Sequence, residues 1–486
     1  MTVVQTPAGA VRGVSRSFAG STSHAFLGIP FAEPPVGPLR FAAPVPRAPW
    51  NGVLDGTRPG ATPQRRPFAE VTSVPEPSIP GDDILNVSVF TPDPDASGLP
   101  VLVWIHGGGY VAGSPASPWY DGATFNRDGI VTVNVSYRLG FQGFGHVPGA
   151  IPNRGVLDWL AALRWVQESI ASFGGDPTKV TIAGQSAGGG AVLQLLGLPS
   201  AQGLFRGALS MSGVLTDLGR DEAEARSRRV AERAGIPWTD EGFASLTEDE
   251  LLDVQSADDD LRGLAALRRA VAEEMDPCPV VDGDVVPFTA LAGMRRGVGA
   301  SVPLLMGATE DEFSGMAQIA AEEIVAAGAA GSLTSLGMTP ASAARYLDAN
   351  AGLEDRGPVG IVGRFLSDAW FRSVVPTVAE ARAGGSTWAY RMAWPSRLNG
   401  LSEHCLDLPF LFDCLGHDAV PAITGDAPPQ ALADALHGAA VRFIVDGDPG
   451  WPGWSTGRTA RVYSETVDDV PEAFASTLEV KALLHD

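Results

Sequence analysis

The sequence predicts an α/β chain built on one mostly parallel, twisted sheet with helices on both faces, and three observations predict it. Nearly continuous apolar runs, PVLVWI and IVTVNVSY, read as strands covered on both sides. Further strand-like runs (KVTIA, GALSM, VPLLM and TWAYRM) alternate with helical or irregular stretches. The intervening segment GVLDWLAALRWVQESIASFGG repeats apolar residues (Val156, Leu160, Leu163, Val166, Ile170 and Phe173) every three or four positions, and Gly174 offers a stop.

Earlier in the chain, VVQT and AVRGVS read as a small antiparallel hairpin around Pro7-Ala8-Gly9, followed by turn-rich GIPFAEPPVGPLRFAAP; both look peripheral. LNVSVF, from residue 85, opens the β-rich part. The Pro-rich stretch 61–80 and the Ala-rich, helical 315–385 read as rim or cap insertions, because no long Ser/Gly or charged tract sets either apart as a linker would. The expectation is one domain over residues 1–486.

Composition excludes several functions. With 45% apolar and 19% charged residues the chain can bury a large core, and its net charge of −22 repels nucleic acid and anionic membrane surfaces at long range. The local acidic excess at 239–260 reads as a solvated helical face. Three cysteines, Cys278, Cys405 and Cys414, form neither a disulfide framework nor a metal-binding spacing, which fits a reducing cytosol. The N-terminus lacks a basic stretch followed by an apolar one, and no run of about 18 apolar residues occurs, so an unexported, soluble protein is expected. The oligomeric state stays open, and a monomer is compatible with the sequence.

Chemistry concentrates in TIAGQSAGGG. Ser186 falls between the strand KVTIA and a helix that begins at AGGGAVLQLLGL, the context of a nucleophile elbow, where a sharp turn leaves no room for side chains at Gly184 and Gly188. The helix N-terminus favours an anion there. A phosphate cradle is the competing reading, weakened by the absence of a Walker lysine or GxGxxG. Upstream, PVLVWIHGGGY sets Gly107, Gly108 and Gly109 at a strand end, where backbone N–H groups can turn toward a developing oxyanion, each worth about 3 kcal/mol of barrier. His106 reads as structural.

With FLGIPFAEPPVGPLRF, DILNVSVFTP, WIHGGGY, VSYRLGFQGF, FGGDPTKVTIAGQSAGG, LLMGATEDE and EHCLDLPFLF in order, the chain resembles the type-B carboxylesterases, in particular their bacterial para-nitrobenzyl esterase branch. The resemblance implies an α/β-hydrolase fold and a triad in chain order Ser, acid, His. It implies His404 as the base, with His417 as the fallback, and Glu312 as the acid, with Glu310 and Asp311 as solvated competitors. The backbone amides of Gly108, Gly109 and Ala187 would then hold the oxyanion, and Ser212 resembles a hydroxyl near the triad, or else a strand-end serine bonded to backbone. Tyr110, Phe313 and Phe410 are candidates to line an apolar gorge, although rings beside motifs also serve as core.

Four departures from the resemblance matter. Gln185 stands where many relatives carry Glu, removing a negative charge from beside the histidine. Tryptophan is missing from the stretch before Asp82 and from the positions just after Ser212, where cation-binding aromatics would be expected. Phe313 occupies a position often held by glycine, and Ile84 replaces a cysteine used by exported relatives. The expected activity is two-step hydrolysis of uncharged small to medium carboxylic esters, with no metal and no organic cofactor. Alternatives are a carbamate or amide hydrolase using the same triad, or a noncatalytic binding protein on the same fold.

Overall fold

The computed structural model describes all residues except 68–71, 217, 256–261, 274, 383 and 485–486. The missing positions take in part of the Pro-rich stretch, the end of the acidic segment and His485.

Fifteen strands are described: β1 Thr2–Gln5, β2 Ala10–Phe18, β3 Ser21–Pro30, β4 Val53–Asp55, β5 Asn86–Thr91, β6 Leu99–Ile105, β7 Val131–Val135, β8 Gly175–Gln185, β9 Gly207–Met211, β10 Leu218–Gly219, β11 Val280–Val281, β12 Leu304–Thr309, β13 Thr387–Met392, β14 Ala460–Tyr463 and β15 Val467–Val470. Thirteen form one sheet in the order β1-β2-β3-β5-β7-β6-β8-β9-β12-β13-β14-β15, with β4 beside β2, while β10 and β11 pair separately. Strands β7 through β14 in that order are mutually parallel, and antiparallel pairs close both ends.

The opening hairpin is therefore the edge of the main sheet. β3 pairs with β2 on one side and β5 on the other, and its end takes in Gly28 to Pro30, the start of the stretch read as turns. The turn residues begin after Pro30, so the strand's own alternation was masked by the Gly and Pro that follow it.

Side chains of β6 alternate between two cores. Val101, Val103 and Ile105 pack with the helix Arg154–Ser169 and the helix Ala187–Leu196. Leu102 and Trp104 face the opposite cluster, with the helix Gln430–Asp446. A strand buried on both faces needs apolar residues at every position, which is why its sequence shows no alternation.

The chain leaves β6 for β7 on one side and returns to β8 on the other. Connections that diverge in this way open a crevice at the carboxyl ends of the two neighbouring strands, the usual ligand position in such sheets. Residues 314–381, between β12 and β13, form a run of helices packed around their own cluster, which includes Ile324, Tyr346, Phe365 and Leu366.

Candidate functional site

At the end of β8 the backbone turns abruptly: Ser186 sits at φ 59°, ψ −125°, a conformation a side-chain-bearing residue holds only when its surroundings enforce it. The surroundings are backbone. A Cβ at Gly188 would lie 2.1 Å from Ile105 O, and one at Gly107 would lie 2.6 Å from Gln185 O and 3.0 Å from Ser186 Cβ. Strand β6, the glycine turn after it and the elbow thus touch without room for another atom. Ser186 N–H donates to Met211 O at 2.9 Å, and Gly190 N–H donates to Ser186 O at 2.8 Å, starting the helix Ala187–Leu196.

The glycine turn is folded back on itself. Gly108 has φ 111° and Gly109 φ 60°, and Gly108 O accepts from the N–H groups of Val111 and Ala112. The N–H groups of Gly108, Gly109 and Ala187 make none of the loop, turn or cap hydrogen bonds among the described residues. Gly107, at the start of this turn, packs against Ser186, and Ala187 follows it directly.

His106 is locked beneath the turn. It is 1% exposed, its ring is paired with Gly107 O at 2.7 Å and stacks on Tyr137 at 4.7 Å. Burial drives its pKa down to about 4, despite the opposing Gly107 bond, so it is neutral and donates from Nδ1.

The acid follows β12 and the imidazole follows β13. Glu312, 1% exposed, pairs through Oε2 with His404 Nδ1 in a short contact. Its other oxygen, Oε1, accepts from Thr309 N–H at 2.7 Å and from Ser212 Oγ–H at 2.7 Å. Three donors thus reach this buried carboxylate, two at Oε1 and one at Oε2, and replace the water it loses on burial. Ser212, itself at φ 43°, therefore serves the acid rather than the backbone. His404 N–H donates to Glu312 O at 3.2 Å, so the two loops are joined by main chain as well.

With Nδ1 committed to the carboxylate, His404 Nε2 carries the free lone pair. Gln185 Nε2 lies 3.1 Å from it and donates to it, which places the imidazole against the residue preceding Ser186. No hydrogen bond from Ser186 Oγ is present among the described residues. The imidazole is 10% exposed and packs against the rings of Phe313 (4.5 Å) and Phe371 (4.6 Å), which also touch each other at 5.2 Å. His417, the fallback, bonds to Ala419 N–H in its own loop.

Several expectations need correction. Glu310 and Asp311 are not solvated: Glu310 pairs with Arg364, Arg372 and Arg391, and Asp311 with Arg356 and Arg364. Burial alone would raise the Glu310 carboxyl, but the arginines, Arg372 foremost, hold it down at about 2. Of the three rings expected along a gorge, only Phe313 is open to solvent, at 40%. Tyr110 is buried against Phe144 and Trp159, and Phe410 against Trp394. Tyr110 follows the end of β6 closely and folds back into the core, and Phe410 lies in the short helix Leu408–Leu411, which is buried throughout.

Residues that sequence reasoning passed over complete the site: Thr309, Phe371 and Asp407. Asp407 is fully buried, accepts from Tyr390 O–H at 2.6 Å, and its pKa is pushed by burial up to about 6. It lies in the stretch that singled out His404, so a search for buried carboxyls around that motif would have found it. Phe371 carries no local signal.

Fold and site together define an α/β-hydrolase of the esterase class. The sequence profile of the carboxylesterase family matches residues 1–467, and the chain belongs to that family. It is a carboxylic ester hydrolase of the serine type. Among relatives, it is 32% identical to the para-nitrobenzyl esterase of Bacillus subtilis, with 97% of each chain covered. It is also 32% identical to human carboxylesterase 3, over 97% of this chain and 88% of that protein. A crystallised carboxylesterase of Geobacillus stearothermophilus superposes with a TM-score of 0.83 at 32% identity, covering 99% of this chain and 100% of that one. A para-nitrobenzyl esterase structure gives 0.81 at 27% identity, over 98% of this chain and 99% of that one. No helix among the described residues is long and apolar enough to cross a membrane.

Proposed function

We propose that Ser186 is the nucleophile, His404 the general base and acid, and Glu312 the carboxylate that orients it, in an acyl-enzyme hydrolysis of uncharged small to medium carboxylic esters. The observation that carries this reading is the pairing of His404 Nδ1 with a buried Glu312 that accepts two further hydrogen bonds, which turns the imidazole's basic Nε2 toward the elbow.

In the first step Nε2 takes the Ser186 proton as Oγ adds to the ester carbonyl. Gln185 must release Nε2 for this, exchanging places with the serine hydroxyl as donor. The carbonyl oxygen becomes an anion held by the N–H groups of Gly108, Gly109 and Ala187, with the helix Ala187–Leu196 adding its positive end. Imidazolium then gives its proton to the departing alcohol oxygen, and water repeats the sequence on the acyl-serine. Glu312 stays ionised throughout and stabilises the imidazolium. No step calls for a metal or an organic cofactor.

Neutral substrates suit a site whose residue before the nucleophile is Gln185 and whose histidine is flanked by Phe313 and Phe371. The whole chain acts as one hydrolase domain, with 61–80 and 315–385 as rim and cap. Its −22 charge argues against nucleic acid or anionic membrane partners, and its three free cysteines fit the cytoplasm. Ser186→Ala should lower kcat/KM for para-nitrophenyl acetate by about 10⁴-fold or more and abolish labelling by an organophosphonate. Undiminished hydrolysis by that variant would remove Ser186 from the reaction.

A further inference from the structure

Glu310, Asp311 and Glu312 leave β12 in succession, and their carboxylates go to three different places. Glu312 meets His404, and Glu310 meets Arg364 (2.8 Å), Arg391 (3.2 Å) and Arg372 (3.4 Å). Asp311 stands between them, 2% exposed, and is bonded on both sides, to Ser402 and to Arg356 and Arg364.

Its N–H donates to Ser402 O at 2.8 Å, and its Oδ2 accepts the Ser402 N–H at 3.0 Å. One residue thereby holds both polar groups of the Ser402 backbone. Ser402 is 1% exposed, and its own Oγ–H donates to Met392 O at 2.8 Å, at the end of β13. The next rungs continue the pairing: Glu312 and Glu403 form a parallel bridge, and His404 N–H reaches Glu312 O. On its other side, Asp311 Oδ1 accepts from Arg356 and from Arg364 Nη2 at 3.3 Å. Arg356 immediately precedes the helix Gly357–Ser367 of the 314–381 excursion, and Arg364 lies within it.

We propose that Asp311 is a positioning residue that clamps the loop carrying His404 to the loop carrying Glu312, and fastens both to the helix Gly357–Ser367 through Arg356 and Arg364. The proposal rests on the roles given above to Ser186, Glu312 and His404. Asp311 touches no reacting atom. Its effect reaches the chemistry because His404 lies two residues beyond the clamped Ser402, and an error of about 1 Å in placing a proton-transferring group lowers a rate by about 10²-fold. The side chain is needed as well as the backbone, since without Oδ2 the Ser402 N–H would be buried with no acceptor and the loop would shift to find one.

Two variants separate the clamp from the charge. Asp311→Asn keeps a side-chain oxygen for the Ser402 N–H and loses the ion pairs, whereas Asp311→Ala loses both. Each is measured for kcat and KM on para-nitrophenyl acetate, for thermal midpoint, and for the far-downfield proton signal of the His404 Nδ1–H shared with Glu312.

The expected result for Asp311→Ala is a fall of about 10²-fold in kcat, KM within about threefold, and a broadened or lost downfield signal. Asp311→Asn should recover most of that loss, staying within about tenfold of the wild type with the signal kept. A folded Asp311→Ala with unchanged kcat or an unchanged signal overturns the proposal. So does a folded Asp311→Asn that loses kcat by about a hundredfold, the arm that decides if Asp311→Ala does not fold. Organophosphonate labelling of the wild type keeps the two readings apart. An unlabelled wild type removes the assigned nucleophile, while a labelled wild type beside a fully active Asp311→Ala removes only the clamp.

Discussion

The half of the site around Ser186 and the half around Glu312 and His404 are held by different physics. Around Ser186, positions are fixed by repulsion: β6, the Gly107–Gly109 turn and the elbow lie so close that glycine alone fits at Gly107 and Gly188. Around Glu312 and His404, positions are fixed by attraction, through hydrogen bonds that Thr309 and Ser212 donate to Glu312 and Ser402 donates to Asp311, and through guanidinium pairs. Steric fixation is local and stiff. Polar fixation spans more than 90 residues and depends on charge state, so it is the half that pH and conservative substitution should reach. Four of the ten described non-glycine residues with positive φ (Tyr110, Ser186, Ser212 and Cys405) lie in or beside the two halves, so backbone strain is concentrated where they meet.

The difference yields graded expectations. On the polar side, Glu312→Gln should preserve the thermal midpoint within a few degrees yet lower kcat by about 10³- to 10⁴-fold, because an amide neither selects the Nδ1–H tautomer nor stabilises imidazolium. Stopped-flow or steady-state hydrolysis measures it; a loss of less than about tenfold would mean that another carboxylate orients His404.

On the steric side, Gly188→Ala should act through stability instead. A Cβ 2.1 Å from Ile105 O cannot be relieved by turning a side chain, so a loss of about 4 kcal/mol or more, or failure to accumulate folded protein, is expected in denaturant titration. A stable Gly188→Ala with an altered kcat would erase the distinction between the halves.

A smaller effect belongs to Ser212→Ala, which removes one of three donors to a buried carboxylate. About 2 kcal/mol, a factor near 30 in kcat, follows from the usual worth of a hydrogen bond to a charged group, with KM little changed. Smallest at neutral pH is Glu310→Gln. Because the folded carboxyl is held at about 2, below its ordinary value near 4.5, its ionised form stabilises the fold above about pH 4.5. That contribution is lost as pH falls toward 2. Thermal midpoints taken at pH 5 and pH 3 should therefore diverge less in Glu310→Gln than in the wild type.

Much of the steric half was legible because its cause is written in contiguous residues. A strand, six small residues around Ser186 and a triple glycine each announce a close backbone approach before any coordinate is known. His404 and Glu312 were reached through resemblance to a family pattern, since nothing in EHCLDLPF or TEDE alone distinguishes an orienting carboxylate from its neighbours. That is where the reading erred: Glu310 and Asp311 were expected in water, and both are paired with arginines that lie 45 to 81 residues further along the chain. The strand β3 was lost beneath turn-forming residues, and β14 and β15 are too short to register as periodic.

What the sequence determined by itself, then, is what short-range geometry and composition dictate: a two-sided parallel core, an elbow at Ser186 and a neutral Gln185 beside it. Only the tertiary structure decided which carboxylate faces the imidazole, which rings stay in the core, and that Phe371 flanks His404. These depend on where separate strands end relative to one another. Side chains brought together from distant points in the chain have no common local pattern, and their ionisation is set by neighbours that only folding supplies.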